Sequence, residues 1–286
     1  IPAGDVRSLD ADPRDPQIIV AGVPTLGDHS ATIVRTSDGG ATWQTVFSRP
    51  GGGSYQASEL DRCPNDPDRL YSAIGSAIIT SGDGGATWAE VPGLAGAAAT
   101  ELAVAAADCG VLVAGVYASG IFRSGDGGGT FQGPATSGLD MATFAFQTIV
   151  ADPTAPTRLL ATSHSGLFVS ESGGDVWRRV DNLAALPVTA LAVSAADPSR
   201  LWMSSWGSGV WVRDVGDDRP WQHIGLDQIS RDWIAFVAPD PFQARRVFAG
   251  GGTLWRSLDG GICFELTQGI SGNPLGTTPH PTDLTT

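Results

Sequence analysis

One short segment recurs six times along this chain, and its spacing constrains the fold more than any other feature. It reads TSDGGATW at Thr36–Trp43, SGDGGATW at Ser81–Trp88 and SGDGGGTF at Ser124–Phe131. Three degraded copies follow: SESGGDVW from Ser170 to Trp177, RDVGDDRPW from Arg213 to Trp221, and SLDGGICF from Ser257 to Phe264. The closing aromatics Trp43, Trp88, Phe131, Trp177, Trp221 and Phe264 lie 45, 43, 46, 44 and 43 residues apart. A constant period of about 44 residues points to an array of similar supersecondary units.

Each period holds four short apolar stretches, here strands a to d. Strand a runs into a Pro/Asp-rich turn and strand b follows, as in DADPRDPQIIVAG, DRCPNDPDRLYSA and AADPSRLWMSS. Strand c leads into each segment (TIVRT, AIITS, GIFRS, GLFVS, GVWVR, TLWRS), and strand d leaves it, as in TWQTVF and VWRRV. Four strands in about 40–45 residues are the pattern of a β-propeller blade. The expected fold is all-β, a six-bladed β-propeller of four-stranded antiparallel blades. The blades fall at about 5–48, 55–92, 99–134, 144–182, 187–226 and 232–268, with 269–286 a C-terminal tail or linker. Seven blades with a truncated terminus is the alternative. The Ala-rich stretch 94–106 is assigned by the repeat to a loop and a strand a, not to a helix. With 38 Gly, 19 Pro and 16% charged residues among 286, the composition suits a turn-rich β protein.

The motif S-x-D-x-G-x-T-W resembles the Asp-box, or BNR repeat. The chain looks like an Asp-box β-propeller protein over nearly its whole length. That resemblance implies the propeller fold, but it spans sialidases, xyloglucanases, sortilin-like receptors and photosystem assembly factors, so it selects no activity. Within the box, the carboxylates of Asp38, Asp83, Asp126 and Asp259 are expected to accept backbone N–H groups of their own turn. The glycines supply φ > 0, and the closing aromatics pack into the sheet or against the next blade. One Asp per loop is too few oxygen ligands for Ca²⁺. Ser172 replaces the Asp of the fourth box, and the fifth has an extra residue and Pro220. Hydrogen-bonding detail therefore reads as eroded there, while the aromatic persists.

Seventeen Arg, no Lys and 30 acidic residues leave a net charge of -13. Binding of nucleic acid or anionic lipid through a basic face is excluded on that basis. No apolar run approaches the ~18 residues of a membrane span. The chain starts at Ile1, which reads as a leader removed or cut away. Cys63 and Cys109 fall in a–b turns of adjacent blades. A disulfide between them is one outcome and two unpaired thiols the other. The bond needs Cα atoms within about 7 Å and implies an oxidising compartment, so a secreted, periplasmic or cell-surface protein. Cys263 is expected to be a buried free thiol. No C-x-x-C or Cys/His cluster supports a metal site, and no cofactor is expected.

The b–c and d–a loops share the face opposite the boxes, and propeller enzymes with Asp-boxes, by resemblance, use that face. The candidates for a ligand-binding mouth are Tyr117, His164, Trp206, Arg231, Asp232 and Trp233. Tyr117, His164 and Trp206 occupy nearly equivalent b–c positions in blades three, four and five. Trp211 and Trp255 align with Ile79, Phe122 and Phe168 in strand c, and Trp202 with Tyr71 in strand b, so all three are expected in the core. No convergent catalytic set emerges. Sialidase chemistry needs an arginine cluster, and the presumed active face offers mainly Arg49 and Arg231, with Arg7 near an inner strand. Asp140 with Asp232, or Glu59 with Glu101, could form a glycosidase pair, but nothing in the sequence selects them. The expected function is a non-catalytic binding or assembly scaffold with a protein or glycan partner, acting as a monomer or as a module of a larger protein. The alternative is a glycoside hydrolase, sialidase-like or xyloglucanase-like, or a lectin-like module.

Overall fold

The computed structural model describes residues 6, 8–24, 30–50, 59–74, 76–94, 99–105, 108–116, 119–135, 139, 146–152, 155, 157–163, 166–180, 188–193, 196–197, 199–205, 207–214, 220–225, 229, 234–240, 242–251 and 253–267. They form an all-β, six-bladed β-propeller fold of four-stranded antiparallel blades, each with its strands in sequential order. Blade one holds β1 (Ser8–Asp12), β2 (Asp15–Pro24), β3 (Ala31–Thr36) and β4 (Gln44–Arg49). Blade two holds β5 (Glu59–Arg62), β6 (Leu70–Ile74), β7 (Ala77–Ser81) and β8 (Ala89–Val91). Blade three holds β9 (Ala99–Val104), β10 (Leu112–Val116), β11 (Gly120–Ser124) and β12 (Gln132–Ala135). Blade four holds β13 (Phe146–Ala151), β14 (Leu159–Ser163), β15 (Gly166–Ser170) and β16 (Arg178–Arg179). Blade five holds β17 (Val188–Val193), β18 (Arg200–Ser205), β19 (Gly209–Asp214) and β20 (Gln222–Ile224). Blade six holds β21 (Ile234–Pro239), β22 (Val247–Gly251), β23 (Leu254–Ser257) and β24 (Glu265–Leu266). The chain divides into two compact units, 1–180 with the first four blades and 181–286 with the last two.

Burial follows strand position. The b strands β6 (LYSAI) and β10 (LVAGV) are buried at every residue. A strand covered on both faces reads as a continuous apolar run rather than an alternating one. The d strands are exposed edges. β8 carries no buried residue, and β16 and β24 are two residues long and exposed throughout. A short, charged outer strand such as Arg178–Arg179 offers little edge for pairing with another chain.

Blades within a unit are joined by shared clusters. Val20 and Ile33 of blade one pack with Leu70, Ile74 and Ile79 of blade two. Tyr71 and Ile78 of blade two pack with Leu102, Leu112 and Ala114 of blade three. Ala103, Val113 and Ile121 of blade three pack with Ile149, Leu159 and Phe168 of blade four. Four of the box aromatics sit in such joints, and here the structure corrects one expectation. Trp43 packs into its own sheet against Ala21, Val23 and Val34, as one alternative expected, whereas Trp88, Phe131, Trp177 and Phe264 lodge between their own sheet and the preceding blade, not the next. The reason is the direction of the c–d turn, which turns these four onto the b and c strands of the sheet already behind them.

Candidate functional site

The boxes form one hydrogen-bonded device. In the second copy, Ser81 Oγ accepts N–H bonds from Asp83 at 3.3 Å and Gly85 at 2.9 Å, and donates to Asp83 Oδ1 at 2.8 Å. The Asp83 carboxylate accepts the Thr87 N–H at 2.9 Å and the Thr87 hydroxyl at 2.6 Å. Trp88 Nε1 donates to Gly85 O at 3.1 Å. The first copy repeats this through Thr36, Asp38, Thr42 and Trp43, and the third through Ser124, Asp126 and Thr130. The fourth box differs from its reading as eroded. Ser172 Oγ accepts the Val176 N–H at 2.9 Å, so a hydroxyl does the carboxylate's work.

Among the described residues, a backbone bond fastens five of the boxes to the a–b turn or the start of strand b of their own blade. Gly39 N–H donates to Gln17 O, Gly84 to Asp68 O, Gly127 to Gly110 O, Gly173 to Thr157 O and Gly260 to Arg245 O, at 2.7–3.0 Å. Two arginines of strand c extend the fastening to the following blade: Arg35 Nε donates to Gly84 O at 3.2 Å and Arg123 Nε to Gly173 O at 2.8 Å. The signal in the sequence was an arginine recurring directly before the box, as Arg35, Arg123 and Arg256.

These contacts set the acidities. The Thr42 hydroxyl and N–H hold the Asp38 carboxyl down at about 2. The Thr130 N–H lowers Asp126, and the Cys263 N–H lowers Asp259. At Asp83 burial is the largest influence and pushes upward, but the bonds from Thr87 and Ser81 outweigh it. Each folded value lies below the unfolded carboxyl value of about 3.9, so folding favours the ionised form. That contribution is complete above the unfolded value and is lost as pH falls through the folded one. The thermal midpoint is therefore expected to fall as pH drops from about 4 to about 2, with a shallower acid limb in Asp38→Asn. Thermal melts across that range check it; identical acid limbs would refute it.

The a–b turns share a second device. Cys63, Ala105, Asp152 and Asp240 occupy one slot, each donating its N–H to the carbonyl six residues later. Asp240 binds Arg246, and Asp152 binds Arg158 at 3.4 Å. In blade one Asp12 plays this part with Arg14 at 2.8 Å, and the Arg14 bonds hold its carboxyl well below the usual range. Asp10 beside it is pushed up by burial against the opposing pull of Arg62. In blade two the slot holds Cys63 instead, disulfide-bonded to Cys109 of blade three with Cα atoms 5.4 Å apart. Tyr71 Oη donates to Cys109 O at 3.0 Å at the same joint. The bridge spans 46 residues. Cys109→Ser is expected to cost about 2–4 kcal/mol in urea unfolding, and reductant should shift the wild type while leaving the variant unmoved.

Two further expectations are corrected. Cys263 is exposed, not buried, because the residue before the box aromatic faces outward, as Thr42, Thr87 and Thr130 do. Trp211 is half-buried rather than core. Its ring stacks on His223 with centroids 4.3 Å apart, and its Nε1 donates to Ser208 O at 3.0 Å. Desolvation lowers the His223 pKa. Trp202 and Trp255 are buried. Arg49, considered for the active face, is paired with Glu90 at 2.6 Å.

The mouth candidates Tyr117, His164, Trp206, Arg231, Asp232 and Trp233 lie outside the described residues, as do Asp140, Arg7 and the side chain of Glu59. The flanking strands give their place in the chain. Tyr117 follows β10, His164 follows β14 and Trp206 follows β18, each the first residue after a b strand. Arg231, Asp232 and Trp233 immediately precede β21. Sequence reading also missed the large exposed apolar residues of blade six, Phe242, Leu258 and Ile262. The available signal was their mismatch to the repeat. Leu258 stands where other boxes have Ser37, Gly82, Gly125 and Glu171, and Ile262 where they have Ala41, Ala86, Gly129 and Asp175. Among the described residues, no helix is long and apolar enough to cross a membrane.

Box-fastened, four-stranded blades define a β-propeller. No protein-family model matches the chain, and no curated protein matches it. Among solved structures it is similar to the GH74 xyloglucanase from Xanthomonas campestris, with TM-score 0.73 and 21% identity, covering 92% of this chain and 45% of that one. It is also similar to YCF48 from Cyanidioschyzon merolae, with TM-score 0.65 and 18% identity, covering 96% and 88%. A structure of YCF48 bound to D1 peptide matches with TM-score 0.62 and 18% identity, covering 92% and 80%. The chain spans less than half the length of the xyloglucanase it matches.

Proposed function

We propose that this chain is a non-catalytic binding or assembly scaffold of the Asp-box type, engaging a protein partner through the loops that follow its b strands. The carrying observation is the repeat position of Tyr117, His164 and Trp206, each placed directly after a b strand. The repeat does not require large polar aromatics there, and such side chains suit interface anchors. The likeness to YCF48, whose structure includes a bound D1 peptide, supports this reading over most of both chains. The box carboxylates are committed to their own turns and are unavailable for proton transfer. The Cys63–Cys109 bridge supports an oxidising location: secreted, periplasmic or cell surface.

The second reading is a glycoside hydrolase or lectin-like module, favoured by the likeness to the GH74 xyloglucanase. A glycan array run beside hydrolysis assays on aryl glycosides and polysaccharides separates the two. Turnover abolished by Asp232→Asn makes the chain a glycosidase. Glycan binding without turnover, lost in Trp206→Ala and Trp233→Ala, makes it lectin-like. The scaffold reading expects silence in both assays and recovery of a protein from the extracytoplasmic fraction by wild type but not by Trp206→Ala.

A further inference from the structure

Blade six departs from the repeat on its box face. Phe242 is 89% exposed, Leu258 56% and Ile262 70%. Leu258 and Ile262 flank the box turn, and the Gly260 N–H bond to Arg245 O brings the 240–246 turn beside it. The two turns are thus adjacent, and all three side chains on them are exposed. Two guanidiniums border these turns. Arg245 is exposed and, among the described residues, donates only to the Asp259 carbonyl, at 3.4 Å. Arg200 lies over the Trp202 ring, 5.4 Å from its centroid, and its Nη1 would lie 3.3 Å from a Cβ built on Gly260. Among the described residues neither arginine has a carboxylate partner, although the chain carries 30 acidic residues. Opposite Arg200 in the β18–β19 ladder stands Asp214, and Asp197 accepts from Ser199, while the carboxylates of blade six are engaged elsewhere. Asp259 binds its own turn, Asp240 binds Arg246, and Glu265 binds Arg256.

The equivalent boxes act as an internal control. They perform the same fastening with Ser37, Gly82, Gly125 or Glu171 at the Leu258 position, so the apolar residues are not needed for the fold. Contiguous exposed apolar surface rimmed by polar groups marks a contact site. Unpaired guanidiniums beside it select for carboxylates, which they bind in bidentate fashion.

We propose that this surface docks an extended acidic segment of another protein, one that sets carboxylates beside large apolar side chains. A second copy of this chain fits poorly. A symmetric contact would set Arg200 and Arg245 against their own counterparts. The chain's own segment 268–286 offers a single carboxylate side chain, Asp283. The surface lies at the a–b and c–d turns, so the proposal stands whether or not the b–c loops bind a partner.

The test uses the full chain and a fluorescein-labelled peptide that alternates Asp-Glu and Leu-Phe pairs, read by fluorescence anisotropy. Saturable binding is expected, weakened about tenfold or more by Phe242→Ser with Ile262→Ser. Arg245→Gln should weaken it by a similar factor and reduce its salt dependence. A peptide with Asn-Gln in place of Asp-Glu should bind at least tenfold more weakly. Phe242, Ile262 and Arg245 are exposed, and an unchanged melting midpoint verifies folding of every variant. Equal binding of the neutral peptide would overturn the acidic specificity. Binding lost in Trp206→Ala but kept in the Phe242 and Ile262 variant would move the site to the b–c loops and overturn this one, leaving the scaffold reading intact. Dimerisation in sedimentation that Phe242→Ser abolishes would make a second copy the occupant. Competition by a synthetic 268–286 peptide would make it the chain's own tail. Absence of saturable binding overturns the proposal outright.

Discussion

Trp177→Ala is expected to destabilise the protein by about 3–5 kcal/mol, the range for deleting a buried aromatic. Trp177 is 2% exposed and packs in the joint between blades three and four, against Val113, Ile121, Leu159 and Phe168. Its Nε1 donates to Gly174 O at 3.0 Å, so the substitution also leaves that carbonyl without its partner. The loss is large against a total folding stability of about 5–15 kcal/mol. Trp177→Phe keeps most of the apolar contact and should cost clearly less. Urea unfolding of the two variants measures this. A loss under about 1 kcal/mol for Trp177→Ala would mean that the joint collapses to fill the space and that the aromatic is not its keystone.

Gly85→Ala is expected to cost about 2–5 kcal/mol from two separate sources. At φ +85° an L-residue is strained, by about 1–2 kcal/mol. The added Cβ would also lie 2.6 Å from Val20 Cγ2. Val20 is fully buried in blade one and β-branched, so its χ1 is restricted and it has little room to retreat. Overpacking of this kind adds about 1–3 kcal/mol. Gly84→Ala is the internal comparison. Its φ of +68° imposes the strain, but its Cβ would meet only Asp68 Oδ1, at 3.6 Å. Thermal melts of the pair should therefore separate them by the overpacking cost. Equal losses would show that backbone strain alone fixes glycine at the second position and that the fit between blades is incidental.

Both predictions concern one device, and it was only partly legible in the sequence. The Asp, the paired glycines and the aromatic are spaced along eight residues, and their mutual bonds follow from turn chemistry. The same holds for the four strands, since apolar stretches between Pro/Asp and Gly turns declare themselves locally. What lay beyond reading was the identity of each partner across a blade joint. Val20 stands 65 residues from Gly85, and Arg123 stands 50 from Gly173. An arginine recurs at the strand-c position of Arg123, but nothing local names a box carbonyl in the next blade as its partner. Cys263 was misplaced for a related reason. A cysteine reads as apolar, yet its slot is the outward one that threonine fills in the intact boxes.

The candidate site divides along the same line. Tyr117, His164 and Trp206 stand out in the sequence because the repeat leaves them unexplained, and the strand ends place all three directly after b strands. Leu258 and Ile262 depart from the other boxes in the sequence, but only the Gly260–Arg245 bond sets the turn that carries Phe242 beside them. By itself the sequence determined the blade count, the order of four strands in each blade and the chemistry of the boxes, because periodicity and turn preference act over a few residues. The tertiary structure decided that Trp88, Phe131, Trp177 and Phe264 lean on the blade before them, that the slot of Asp152 and Asp240 becomes a disulfide at Cys63, and that blade six exposes apolar side chains near two arginines without a carboxylate partner among the described residues. Those outcomes depend on which side chains meet after folding, a property of packing between residues tens of positions apart.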